Sequence, residues 1–295
     1  MRSFFIYNTA QLPTDPAPSL PRLKYRDVVW AFHSENQDLL LDESVKACQG
    51  RLSWNNAKAL GLFFWIHSPE LLAKQLEAVG RAEYSDPSRD DKDPITASLF
   101  YLVLRKKHIV QTLWKQALGH QDRTTMVKMM QNDFDLPRWK TAALKNAFAL
   151  LSKRRFSQSI PPHECQTCPW NTADLELLKS AVFAAVFFLL GDSLKDAVNV
   201  CVRQLEDLPL AVAIARVYEG DDGPVLRSLI EANVLPFAFT SGFRWLASWA
   251  FWMLNRRDLA IQTIIVSSGG ASLIGLCSAG DAELAPLFVS ADATG

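Results

Sequence analysis

The stretch FFLLGDSLKDAVNVCVRQLEDLPLAVAIARVYE, residues 187–219, decides the fold class. Gly191 closes an apolar run, and Asp192 or Ser193 is placed to cap the helix that follows. Leu194, Ala197, Val198, Cys201, Val202 and Leu205 then recur at three- and four-residue intervals, which puts them on one face of an α-helix. Asp207 is a cap for a second helix, whose mainly apolar face carries Leu208, Ala211, Val212, Ala215 and Tyr218. Such a hairpin cannot bury its stripe alone. It must stack on neighbours, and this requirement points to a helical array rather than to a pocket for chemistry.

The same grammar runs outward in both directions. An ordered segment around Val28–Phe32 precedes a helix over residues 37–48. Ser53 caps a helix predicted to run to about Ile66. Ser68-Pro69 opens the next, because proline is favoured at the first helical position, and that helix ends near Tyr84. Asp93-Pro94 repeats the signal ahead of helices over 95–105 and 109–118. Further helices are expected over 124–131, 137–152, 225–232, 244–254 and 259–266. Alternating strand patterns and Asn-Gly hairpin turns are missing. The fold class is therefore all-α, an α-solenoid-like array of stacked antiparallel helical hairpins with no fixed-length repeat.

Composition narrows the function. The 295 residues are 49% hydrophobic, enough for a substantial core. Thirty-one basic residues balance 31 acidic ones, which argues against a nucleic-acid partner, since phosphate contacts need a basic excess. The 5 cysteines are odd in number and scattered, as expected for a reducing compartment without a disulfide framework. The longest apolar run, residues 181–190, is about half the ~20 residues a spanning helix needs. No transmembrane segment and no signal peptide are expected.

Candidate sites are few. His163-Glu164-Cys165 with Cys168 is the one metal-like cluster, but zinc wants four ligands and no second pair follows; it reads as an accident of its segment. Arg105-Lys106-Lys107, Lys153-Arg154-Arg155 and Arg256-Arg257 follow apolar runs, where cations oppose the helix dipole. Gathered on one edge, they would attract an acidic partner or lipid head groups. Trp245, Trp249 and Trp252 form a stripe that reads as core, or as a docking hot spot if one end of the array is open. Asp133 and Asp135, in NDFDLPRW, read as turn residues rather than as a catalytic pair. Gly191, Gly220 and Gly223 stand singly between helices as terminators. Catalytic, cofactor and metal residues are assigned to none.

Several blocks also resemble one family in order. They are YRDVVWAFHSENQDLLLD at 25–42, NNAKALGLFFWI at 55–66, DPITASLFYLVLRKKHIVQTLWKQA at 93–117, NDFDLPRWKTAALKNAFALLSKRRF at 132–156, AAVFFLLGDSLKDAVNVCVRQLEDLPLAVAIARVYEGDDGPVLRSLIEANVLP at 184–236 and RWLASWAFWMLNRRDLAI at 244–261. The chain resembles the helical region of the large scaffold subunit of the RAVE complex, whose animal relatives are the rabconnectin and DmX proteins. The resemblance implies a non-catalytic scaffold that promotes assembly of the vacuolar H+-ATPase and hence vacuolar acidification. The implied partners are the other RAVE subunits, including a Skp-type adaptor, and the pump's peripheral-sector subunits. The implied location is cytoplasmic, peripheral to vacuolar and endosomal membranes. A coat- or tether-type trafficking solenoid is the alternative. Against the family pattern, residues 157–180 read as an insertion of the kind a retained intron would produce. Residues 1–24 are expected to be disordered, residues 25–266 to form the helical domain, and residues 267–295 to be a divergent, poorly ordered tail. The family's N-terminal β-propeller region has no counterpart here, as expected of a fragment or short form.

Overall fold

The computed structural model describes residues 24–48, 50–85, 94–158 and 172–265. The described residues are helical with no strand. In chain order the helices are α1 Tyr25–Phe32, α2 Gln37–Ala47, α3 Trp54–Ala59, α4 Leu62–Trp65, α5 Pro69–Tyr84, α6 Pro94–Val103, α7 Lys107–Gln116, α8 Arg123–Met130, α9 Pro137–Gln158, α10 Thr172–Leu190, α11 Leu194–Arg203 and α12 Leu208–Glu219. After α13, Pro224–Leu229, comes a π-helical turn, Ile230–Val234, and then α14 Leu235–Thr240, α15 Arg244–Met253 and α16 Arg257–Ile265.

The predicted caps at Ser53, Ser68 and Asp207 each accept a hydrogen bond from the backbone N–H three residues on. Each satisfies one of the orphan donors of a first turn. Ser193 departs from expectation: its hydroxyl donates to Asp196 at 2.6 Å instead of capping the backbone. The expected single helix from Ser53 to Ile66 is broken at Gly61, which adopts φ +58°. A Cβ there would meet Val28 at 2.7 Å, so only glycine lets α1 and α4 pack this closely. The segment around Val28 is itself a full helix. The helix expected over 225–232 carries on through the π turn into α14, with Pro236 in the first turn of α14. Residues 172–180, the last part of the stretch read as an insertion, form the start of α10. Residues 1–23, 159–171 and 266–295, on which the other insertion and terminal expectations fall, lie outside the described residues.

Consecutive helices pack as hairpins: α5 on α6, α6 on α7, α9 on α10, α10 on α11, α11 on α12, and α15 on α16. Four turns between consecutive helices share one device: those from α6 to α7, α10 to α11, α14 to α15 and α15 to α16. Arg105, Asp192, Asn255 and Gly242 all take positive φ, and the N–H of the next residue reaches the carbonyl five residues earlier, at 2.7–2.9 Å. This is the Schellman closure of a helix C-terminus. Small residues bring the helices together, among them Ala143 and Ala147 on α9 and Ala184 and Ala185 on α10, all fully buried. The expected buried stripe on α11 holds at Leu194, Ala197, Val198 and Cys201, with Val202 and Leu205 at its half-buried edge. Helix α12 is buried on every side from Leu210 to Arg216.

The stack is not strictly one-dimensional. Helix α6 packs on α10, α4 on α12, and α1 on α15. The last of these brings together the two ends of the described chain.

A candidate docking groove and the buried node beneath it

Helix α4 is a four-residue helix with no exposed side chain. Its last carbonyls cannot find partners within so short a helix. Side chains from three distant helices supply them. Arg216 of α12 donates to the carbonyls of Phe63 (2.6 Å) and Ile66 (3.0 Å). Trp249 of α15 donates from Nε1 to Phe64 at 2.9 Å. Gln37 of α2 donates to Trp65 at 2.7 Å and accepts from the N–H of His67 at 3.0 Å. The Arg216 guanidinium, at the negative end of the α4 dipole, is completed by a two-point pair with Asp221 at 2.6 and 2.8 Å. Its side chain is wholly buried.

An aromatic series leads from this node to the surface. Ring centroids lie 4.8 Å apart for Trp249–Phe64, 6.4 Å for Phe64–Tyr25, 5.2 Å for Tyr25–Phe243 and 5.7 Å for Phe243–Phe237. These are the spacings of favourable offset and edge-to-face pairs. The series starts at Trp249, 1% exposed, and ends at Phe243 and Phe237, 40% and 42% exposed. It ends in a groove of about 1130 Å³ formed by α1, the end of α3, the α11–α12 turn, α14 and the start of α15. Val28, Leu208 and Trp245 add apolar wall, while Lys24, Arg26, Lys58, Arg244 and Glu206 carry the charge.

The tryptophan stripe is thus divided. Trp249 is core, Trp245 lines the groove, and Trp252 is half-buried against His33, at 4.4 Å, and under the Arg257 guanidinium, at 5.2 Å. The basic clusters are largely engaged inside the fold. Arg105 lies over the Tyr218 ring at 4.5 Å, Lys106 pairs with Glu77 at 2.6 Å, and Lys107 donates to the Asn132 carbonyl. Arg256 lies 3.6 Å from Asp258. The side chains of Lys153-Arg154-Arg155 fall outside the described residues, as do His163, Glu164, Cys165 and Cys168. Among the described residues no group of three metal-ligating side chains converges. Asp133 accepts from the N–H of Asp135 at 3.0 Å, the bond of an Asx turn.

A second polar cluster joins Lys140, Asp192 and Tyr218. Asp192 accepts from Lys140 and from the Tyr218 hydroxyl, both at 2.8 Å. Those two hydrogen bonds hold its carboxyl below the usual range. Burial, and donation to Asp192, push the Tyr218 phenol up to about 12. Burial raises the Cys201 thiol far above its ordinary value, which makes it an unreactive core residue. The node and the groove's charged rim were not foreseen from sequence. The Trp245–Trp252 stripe was the one signal that touched them.

The family model described as RAVE protein 1 C terminal matches residues 1–160 and 180–273. The chain belongs to this family. It is 42% identical over 243 residues to Regulator of V-ATPase in vacuolar membrane protein 1 of Saccharomyces cerevisiae, a match covering 82% of this chain and 16% of the relative. The Schizosaccharomyces pombe protein of the same name is 37% identical, over 83% of this chain and 17% of its own length. Mouse DmX-like protein 1 is 31% identical over 87% of this chain and 8% of its own. The chain thus spans less than a fifth of the length of these relatives.

Proposed function

We propose that this chain is a non-catalytic, protein-binding scaffold that supports assembly of the vacuolar H+-ATPase, and with it vacuolar acidification. The observation that carries the reading is the family match, which runs in order along most of the helical array. Its relatives in two yeasts are named as regulators of that ATPase. The array fits a holding role. Arg216, Gln37, Trp249 and Asp192 are spent on helix ends and helix–helix links, and the groove between α1, α14 and α15 is apolar with a charged rim. The partners on this reading are RAVE subunits, including a Skp-type adaptor, and peripheral-sector subunits of the pump. No nucleic acid is expected. The site of action is cytoplasmic, peripheral to vacuolar and endosomal membranes. No helix among the described residues is long and apolar enough to cross a membrane.

Residues 157–180 are read as an insertion into the family's helical region, with residues 1–24 and 267–295 outside the helical domain. The family model's silence over 161–179 supports the first point. Sequencing the mature transcript across residues 157–180 tests it.

The functional test is co-purification. The tagged chain, with the full-length family scaffold beside it as control, is expected to recover pump peripheral-sector subunits or RAVE subunits at moderate salt. If the control recovers them and this chain recovers neither, the binding surface lies elsewhere in the scaffold. Recovery of coat or small-GTPase partners instead would move the chain to the trafficking class.

A further inference from the structure

The groove's charge is sorted by exposure. Arg26 and Lys58 each lie beside a carboxylate, Asp27 at 3.6 Å and Asp207 at 3.0 Å. In both pairs the acid is turned inward. Arg26 is 47% exposed against 7% for Asp27, and Lys58 is 38% exposed against 14% for Asp207. The acids are also held by the fold. Asp27 accepts from the Lys24 N–H at 3.1 Å. Asp207 accepts from the Leu210 N–H at 3.1 Å and from Trp54 Nε1 at 2.9 Å. Lys24 and Arg244 are exposed as well. A partner approaching the groove therefore meets four exposed cations and one exposed carboxylate, Glu206, around a half-exposed pair of phenylalanines. The chain as a whole is neutral, so this local excess is not a reflection of composition.

We propose that the groove is a docking site for an acidic amphipathic segment of a partner protein. Its apolar side chains would pack on Phe237 and Phe243, and its carboxylates would face Lys24, Arg26, Lys58 and Arg244. This is the groove mode of peptide recognition. The aromatic series gives it a rigid floor, since Phe243 is backed through Tyr25 and Phe64 by Trp249, and anchors packed into such a floor dominate interface energies. The cations add on-rate and discrimination between partners more than raw affinity. The proposal rests on the reading of the chain as a protein-binding scaffold and narrows it to one surface and one partner chemistry.

The test uses the full chain and three fluorescein-labelled peptides of about twelve residues, enough for a marginal helix. The first alternates Glu/Asp pairs with Leu and Phe at helical spacing. In the second every acid is Lys, and in the third every Leu and Phe is Ser. Fluorescence anisotropy is expected to show saturable binding of the first peptide alone, weakening as salt is raised, because exposed charge pairs are screened. Lys24→Glu and Phe237→Ser, both at exposed positions, are each expected to weaken it by about tenfold. Circular dichroism and the thermal midpoint check that both variants fold. The proposal is overturned by any of three results: no binding up to about 1 mM peptide, equal binding of the lysine peptide, or unchanged affinity in both folded variants. Co-purification with the Lys24→Glu/Phe237→Ser double variant separates this proposal from the broader reading. If it recovers pump subunits as well as the wild type does, the groove proposal falls and the scaffold reading stands. If the acidic peptide binds as expected but the wild-type chain recovers no pump subunit, the groove stands and the pump assignment falls.

Discussion

Two polar clusters tie distant parts of this chain together, and they do so in opposite environments. Arg216 links α12 to the end of α4 some 150 residues away, with its side chain wholly buried. Lys140 and Tyr218 converge on Asp192 across 52 and 26 residues, with Lys140 35% and Asp192 51% exposed. Both are networks of short charged hydrogen bonds. The difference lies in what each group falls back on when its partner is lost. Around Asp192 water replaces the missing partner. Around Arg216 it cannot, and the carbonyls of Phe63 and Ile66 would be left buried and unsatisfied. The node should therefore dominate stability although the two clusters look alike as lists of bonds.

The largest expected effect breaks the node. Arg216→Met should cost about 2–5 kcal/mol, because the buried carbonyls of Phe63 and Ile66 each lose a partner at about 1–3 kcal/mol, while Asp221, 38% exposed, falls back on water. Arg216→Lys keeps the charge but loses the fork that serves two carbonyls and Asp221 together, and should recover only part of that loss. Denaturant unfolding measures both. A loss under about 1 kcal/mol for Arg216→Met would mean that water reaches α4 and that the two clusters are equivalent.

Packing around the node comes next. Gly61→Ala must adopt positive φ and push Val28 from 2.7 Å, and should cost of order 1–3 kcal/mol. Ala215→Phe places a ring where α12 is fully buried, and should cost a similar 1–3 kcal/mol through overpacking. An unchanged melting midpoint for Ala215→Phe would put that face in solvent.

The exposed cluster should yield less. Lys140→Ala is expected to cost about 0–1 kcal/mol, and less at high salt. The sign of its pH dependence is fixed by Asp192, whose folded carboxyl titrates below its ordinary value. Its contribution is complete above the ordinary carboxylate range and is lost as pH falls through the folded value. In Lys140→Ala the acid limb of stability against pH should flatten. An identical limb in both proteins would assign the acid sensitivity elsewhere.

How much of this was legible in the sequence follows the range of each interaction. Caps act over three residues, and Ser53, Ser68 and Asp207 were readable from the chain. The 3.6-residue stripe on α11 was likewise readable, and with it the fold class. The break at Gly61 was hidden, because apolar residues continue on both sides and only contact with Val28 demands a glycine. The continuation into α14 was hidden by Pro236, which ordinarily ends a helix. Here it falls in a first turn directly after the π turn, where its missing N–H breaks no α-helical bond. The node was beyond reach. Arg216 sits in an apolar helix with an acid five residues on, and nothing local reveals that its main partners are carbonyls near residue 65. The groove was half legible: the Trp245–Trp252 stripe marked the helix, but the cation excess is assembled from three separate segments, the start of α1, the end of α3 and the start of α15.

The smallest effect bears on the repeat that the sequence conceals. No fixed period runs through the chain, yet Arg105, Asp192, Gly242 and Asn255 occupy the same left-handed position of the same hairpin turn. Their side chains differ because each has been put to local use. Arg105 covers Tyr218 and Asp192 gathers Lys140 and Tyr218, while Asn255 is exposed. If the shared requirement is backbone conformation, glycine should serve wherever the side chain has no other task. Asn255→Gly removes the Cβ strain of positive φ but adds freedom to the unfolded chain, and asparagine tolerates this region better than most residues. The net change should be within about 0.5 kcal/mol. Asn255→Val, with a branched Cβ in the same conformation, should instead cost of order 1–3 kcal/mol. The pair separates the backbone from the side chain at an exposed site. If valine is as benign as glycine, the left-handed turn is not what closes this hairpin, and the likeness among the four turns is only geometric.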